Sequence, residues 1–390
     1  MESSLKKSAT QHLKLRFFDL EANIQSDSST YIHLFAQMYG RFQANGTLAP
    51  IRPPAEFVVL TQSDNAWGQP VMILDEEVRL LSNIKFLEGY TYDGVLNAIV
   101  ARVQSHFLIH AGVVSGDGRG IILAADSSHG KTTLVLELVR RGFKFLSDEM
   151  AALGRADRRV HPFPRSLRIR PGTLELAGFP LAAAGAPTWL GKLLLDIEEI
   201  QPGSIGEPAP ISHIVILRDP AEAEAEQPDG PERELGVLVD RLDESLLAAV
   251  RQIEGVTEVR PDIERGYPTL RFRAVHRMSV LSQIEDLCQE QQILVLDISK
   301  RTERQPTFEV PARLEAIPRS QAVIELLRRF QGGHKSALLQ DEFGGSSARL
   351  FMELAALVGQ ANCHQLFVGP LHEMADLLCG LVGASKPRQT

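Results

Sequence analysis

Ala124-Ala125-Asp126-Ser127-Ser128-His129-Gly130-Lys131-Thr132-Thr133 is the stretch on which the fold of this 390-residue chain turns. The apolar run 120–124 enters it as a strand, and the periodic segment 134–141 leaves it as a helix that closes on Gly142 in the manner of a C-cap. A strand, a short loop and Gly-Lys-Thr at a helix start form the pattern of a phosphate-binding loop. The helix end offers converging N–H donors and a positive dipole end, the lysine reaches the outer phosphates, and the hydroxyl holds a metal. This makes Ala125, Asp126, Ser127, Ser128, His129, Gly130, Lys131, Thr132 and Thr133 candidate nucleotide contacts, with Thr132 on the metal. The pattern calls for glycine at Ala125. Alanine tolerates positive φ poorly, so the expectation is an adjusted loop or weakened phosphate binding. Gly-Lys-Thr alone also occurs in ordinary strand–turn–helix segments, so the surroundings have to decide.

Upstream, 107–114 is an apolar run interrupted by His110, followed by the hairpin turn signal Gly116-Asp117-Gly118. A lone histidine there is more often a hydrogen-bonded core residue than a catalytic one. Downstream, the strand 144–146 ends at Ser147-Asp148-Glu149, and paired acids at a strand end suit a metal ligand beside a general base. A hairpin is expected over 151–172, with its turn at 154–159. Its Pro-interrupted second arm carries Arg165, Arg168 and Arg170, of which Arg168 and Arg170 share one face of a strand. Arg165 and Arg168 are candidates for clamping a phosphate or an acidic acceptor, and a solvated arm is the equal alternative.

The chain divides by texture. Residues 1–100 read as a small α+β domain, with strands at 13–17, 57–60 and 71–74 and a helix over 31–42 capped by Ser28, Ser29 or Thr30. Residues 101–220 and 306–390 read as an α/β core, with a buried strand at 211–217 and amphipathic packing helices in the tail. Residues 220–231 are a Glu/Ala/Pro-rich linker. Residues 232–300 carry the order βαββαβ, a ferredoxin-like module inserted into the core.

The segment from His110 to Glu149 resembles the catalytic domain of HPr kinase/phosphorylase. The resemblance rests on His110 before the loop, Gly130-Lys131-Thr132, the helix end Glu137-Leu138-Val139-Arg140-Arg141-Gly142 and the acids Asp148-Glu149, and it covers about forty residues well. It implies a core related to phosphoenolpyruvate carboxykinase, ATP and Mg²⁺ as cofactors, and phosphorylation of a hydroxyl, typically a protein serine. It implies His110, Lys131, Asp148 and Glu149 as the catalytic set, with Asp148 on the metal and Glu149 as base, although the two acids can exchange roles. Kinases of this type also occur among tailoring enzymes of ribosomal peptides, including lasso peptides, so a peptide precursor is one acceptor the resemblance suggests. Its hexameric members leave a homo-oligomer open. The family's loop is richer in glycine, its second acid is Asp where this chain has Glu149, and its later signature tied to phosphorylase activity has no clear match here.

A net charge of −8 argues against nucleic acid as the main partner. Three widely spaced cysteines fit a reducing cytoplasm, and no apolar run is long enough to span a membrane. Two readings follow: a Mg-ATP-dependent serine-type kinase acting on a peptide, protein or small carrier, or a nucleotide-binding regulatory or docking module without turnover.

Overall fold

The structure, a computed structural model, describes residues 9–44, 53–62, 68–74, 77–80, 87–126, 129–170, 172–180, 188–189, 192–220, 233–264, 267–275, 277–293, 295–299, 308–331 and 347–383. The expected loop residues Ser127 and Ser128 lie outside them, as does the linker expected over 220–231 apart from Pro220. The described residues form a mixed α/β arrangement with four sheets.

The first sheet runs β1 (Gln11–Phe17), β2 (Leu20–Ser26), β3 (Ala55–Leu60), β4 (Val71–Leu74), β5 (Glu77–Leu80) in spatial order. Alternation in β1 and β2 points Leu13, Leu15, Phe17, Ala22 and Ile24 inward, onto helices α1 (Ser29–Tyr39) and α2 (Leu87–Arg102). Ser28 caps α1 by accepting from the Tyr31 amide, a contact worth about 1 kcal/mol. This core does not end at residue 100. Leu108, Met150, Ala152, Phe163 and Leu194 belong to the same buried cluster.

Next come β6 (His106–His110), β7 (Gly112–Gly116), β8 (Arg119–Ala124), α3 (Lys131–Arg140), β9 (Lys144–Ser147), β10 (Met150–Gly154) and β11 (Arg159–His161). The apolar run 107–114, expected as one strand, breaks at Ala111. β7 pairs with β8 and β9, whereas β6 pairs with β10, in register His110 to Met150. The opposing chain breaks at the same level, between β9 and β10. One two-stranded ribbon therefore bends at Ala111 and at Asp148-Glu149, and the Ala111 amide donates to the Glu149 carbonyl across the bend at 3.0 Å. The bend puts His110 and both acids side by side.

A small sheet follows from β12 (Leu167–Ile169), β13 (Thr188–Trp189) and β14 (Lys192–Leu195), with short helices α4 (Thr173–Leu176) and α5 (Ile197–Ile200). β15 (Ala209–Arg218), apolar at every position from Ile214 to Leu217, is central and pairs parallel with β8. Residues 233–299 supply β16 (Arg233–Val239), α6 (Glu244–Val250), β17 (Val256–Glu264), β18 (Tyr267–Ala274), α7 (Arg277–Glu290) and β19 (Val295–Ser299). They form a four-stranded antiparallel sheet of order β17-β18-β16-β19 with its own buried cluster. The tail adds β20 (Arg313–Ala316), α8 (Arg319–Leu327), α9 (Ser347–Val358), β21 (Asn362–Phe367) and α10 (Leu371–Val382). β21 extends the main sheet parallel to β15, and α10 packs on α3 through Met374, Ala375 and Leu378.

Candidate active site

Helix α3 opens at Lys131, one turn earlier than its periodicity suggested, with Gly130 before it at φ +75°. That left-handed conformation is why glycine stands there. Ala125 is different. It is buried, and it is not among the described residues with positive φ, so the expected conflict between alanine and the loop does not arise. A second glycine, missed in the sequence, matters more. A Cβ on Gly112 would lie 2.8 Å from Val135 Cγ2 and 3.3 Å from Lys131 Cγ, so β7 can lie against the start of α3 only because this residue has no side chain.

Lys131 is nearly buried, and its Nζ lies 2.8 Å from His110 Nε2. His110 Nδ1 lies 3.3 Å from Glu149 Oε1, and Glu149 Oε2 accepts from Arg165 Nη2 at 2.6 Å. These partners assign the tautomer: Nε2 accepts from the lysine ammonium, and Nδ1–H faces the carboxylate. Burial, reinforced by Lys131, lowers His110 to about 4 against the pull of Glu149, so the ring is neutral at pH 7. Burial also lowers Lys131, with Glu149 and Asp148 opposing. Around Glu149 burial acts upward, but Arg165, His110, Lys131 and Arg168 outweigh it and hold the carboxyl well below the usual range.

Asp148 is fully buried, and burial pushes its carboxyl up despite Arg165. Its Oδ1 has no hydrogen-bond partner among the described residues, which makes it a buried acceptor suited to a cation or donor. Ser147 fixes the turn of the two acids: its Oγ accepts from the Glu149 amide at 3.2 Å and the Met150 amide at 2.8 Å. Among the described residues no three His, Cys, Asp or Glu side chains gather as a ready metal cluster. Asp148 and the hydroxyl of Thr132, in the first turn of α3, are the donors that suit an ion carrying most of its shell as phosphate and water oxygens.

Arg165 is 4% exposed, and the segment carrying it is pinned by α1. The Ser166 amide donates to the Met38 carbonyl at 2.9 Å, and its Oγ donates to the Gln37 carbonyl at 2.7 Å. Phe163 sits 4.7 Å from the Phe42 ring. Arg168 lies in β12, close enough to act on Glu149, whereas Arg170 falls past the strand and is exposed. His129 is buried, Asp126 is exposed, and Thr132 and Thr133 are half-buried. Glu137, near the end of α3, binds Arg140 and Arg141 and thereby ties the helix to Asp376 of α10.

No protein-family model matches the chain, and no curated protein matches it. Among solved structures, the HPr(Ser) kinase/phosphatase from Coxiella burnetii is similar over 47% of this chain and 95% of its own, at 16% identity and a TM-score of 0.21. The likeness is one of fold, and distant.

The sequence reading missed one residue of the tail. Arg329 follows α8, and residues 329–331 run antiparallel beside β6: the His110 amide donates to the Arg329 carbonyl, and the Gln331 amide donates to the Leu108 carbonyl, both at 2.8 Å. The Arg329 side chain reaches Asp126 in the loop. Its only sequence signal is an arginine on the polar side of an amphipathic helix end, which is too common to single out.

Proposed function

We propose that this chain is a Mg-ATP-dependent kinase that phosphorylates a hydroxyl, of the serine kind, on a peptide, protein or small carrier. The observation that carries the reading is the line Lys131–His110–Glu149–Arg165, set against buried Asp148 at the mouth of a helix opened by a left-handed glycine. Mg-ATP would supply the phosphoryl group and neutralise its charge. The α3 end and Lys131 would bind the phosphates, and Thr132 and Asp148 would hold the ion. Glu149, kept ionised by its cations, would orient the acceptor hydroxyl and take its proton, with His110 steering both Lys131 and Glu149. Phosphoryl transfer asks mainly for such positioning, so a weakly basic carboxylate suffices.

The reading extends to a core related to phosphoenolpyruvate carboxykinase over 101–220 and 306–390, with the ferredoxin-like βαββαβ unit of 232–300 as an insertion. That unit and residues 1–100 would recognise the acceptor, a ribosomal-peptide precursor among the candidates. Three unpaired, buried cysteines accord with a cytoplasmic site of action. Homo-oligomerisation is compatible with the reading and not required by it.

Calorimetry with Mg-ATP on wild type and Lys131→Ala, followed by phosphate transfer to a peptide panel by wild type and Glu149→Gln, tests the proposal. It expects binding lost with Lys131→Ala, and transfer reduced roughly 10²- to 10⁴-fold with Glu149→Gln. Tight binding without transfer to any acceptor would favour a regulatory nucleotide-binding module, and no binding by wild type would sink both readings.

A further inference from the structure

We propose that Arg329 is a phosphate-contacting residue, held by Asp126 until a nucleotide binds. The inference rests on the phosphate-binding reading of the loop and adds a residue to it. The Arg329 guanidinium is 8% exposed and fixed on two sides. Its Nη1 donates to Glu325 Oε2 at 2.6 Å and to the Glu325 carbonyl at 2.9 Å, while Nη2 donates to Asp126 Oδ1 at 2.8 Å. Its Nε is buried without a partner among the described residues. Glu325 cannot absorb the whole charge, because it already meets Arg218 at 2.8 Å and Arg328 at 3.0 Å. Arg329 therefore brings surplus positive charge to the loop, close enough to lower both Lys131 and His110.

Asp126 is the anomalous partner. A carboxylate in a loop that offers Lys131 and a helix N-terminus to anions occupies favourable potential while the loop is empty, and repels a phosphate that arrives. Half of its side chain is in solvent, whereas Arg329 is held in place by Glu325 and by its own backbone beside β6. The pair is thus built to exchange partners: phosphate oxygens replace Asp126 on the planar fork of Arg329, and Asp126 is released to water. The carbonyl of the same residue accepts from the His110 amide, so nucleotide seated on Arg329 also steadies the strand that carries His110.

The two ends of the pair give opposite signs in a binding experiment. Calorimetry with Mg-ATP and Mg-ADP would compare wild type, Lys131→Ala, Arg329→Gln, Arg329→Lys, Asp126→Asn and the Asp126→Asn/Arg329→Gln double variant, with thermal unfolding run on each. Arg329→Gln is expected to weaken ATP roughly 10- to 100-fold, with Arg329→Lys between it and wild type. Asp126→Asn is expected to tighten ATP several-fold, because no ion pair then has to break, and that gain should vanish in the double variant. Asp126→Asn changes an exposed loop residue, so its result stands even if Arg329→Gln unfolds. Lost binding in Lys131→Ala with unchanged binding in Arg329→Gln would overturn this inference and leave the loop reading intact. Equal weakening by Asp126→Asn and Arg329→Gln would also overturn it, since the pair would then only shape the loop. Failure of wild type to bind either nucleotide would overturn both.

Discussion

Asp148 and Glu149 are neighbours in the chain whose surroundings push them in opposite directions. Burial raises the first, and nearby cations, Arg165 foremost, lower the second. Their neutral replacements should therefore differ. Asp148→Asn removes a buried acid and is expected to leave stability unchanged or raised, whereas Glu149→Gln removes the carboxylate charge that Arg165 Nη2 bonds. Since Glu149 is partly exposed, the second change should cost about 1 to 2 kcal/mol, read by denaturant unfolding at pH 7. The reverse order would mean that Asp148 is ionised in the unliganded fold. Lys131, His110, the acids and Arg165 were legible in the sequence because they lie within one short stretch of chain, at spacings that strands and a helix start make meaningful. Gly112 and Arg329 were not. The demand on Gly112 comes from a helix lying against it, and Arg329 arrives from the far end of the sequence.

Elements explain why these residues meet. The bent ribbon of β6–β7 and β9–β10 places His110 opposite the acids, and a reading by hydrophobicity alone could not see the break, because Ala111 is as apolar as its neighbours. The helix α2 was hidden for the opposite reason, since Gly89 and Gly94 with Tyr90, Thr91 and Tyr92 read poorly as helix and packing against β2, β3 and β4 secures it. The tail helices were legible as amphipathic packing, but not the strand-like run at 329–331, which adds itself to the free side of β6. The segment 163–166 links α1 to Glu149 through Arg165. Ser166→Ala deletes the hydrogen bond to Gln37 and should cost about 1 kcal/mol. If the segment sets Arg165, the phosphate transfer proposed above would slow while the KM for ATP stays fixed. Unchanged transfer would make the link merely structural.

At the scale of the molecule, the lead-in sheet and the main sheet share one hydrophobic cluster, and their seam carries a second group of titratable residues. His106 stacks on Phe18 with ring centroids 3.8 Å apart and meets His161 edge-on, with Asp157 on His161 and Ser105 bridging His106 to Asp19. Burial, then His161, lowers His106 to about 4, with Asp19 and Asp157 opposing. Between about pH 6.5 and 4 the unfolded chain thus binds a proton that the folded chain refuses, so stability rises with pH across that window and is lost as pH falls through it. His106→Gln should flatten the acid limb of a stability profile measured by urea unfolding from pH 7 to 4.5, and an unchanged slope would remove His106 from the account. The parallel pairing of β15 with both β8 and β21 also fixes an order of events in time. The strand leading into the loop, and α3 beyond it, are covered by β15, β21 and α10, all of which leave the ribosome later. A nascent chain would therefore carry Gly130-Lys131-Thr132 with the apolar face of α3 uncovered until those later elements emerge. Until α10 docks, that face is what a chaperone or protease would meet.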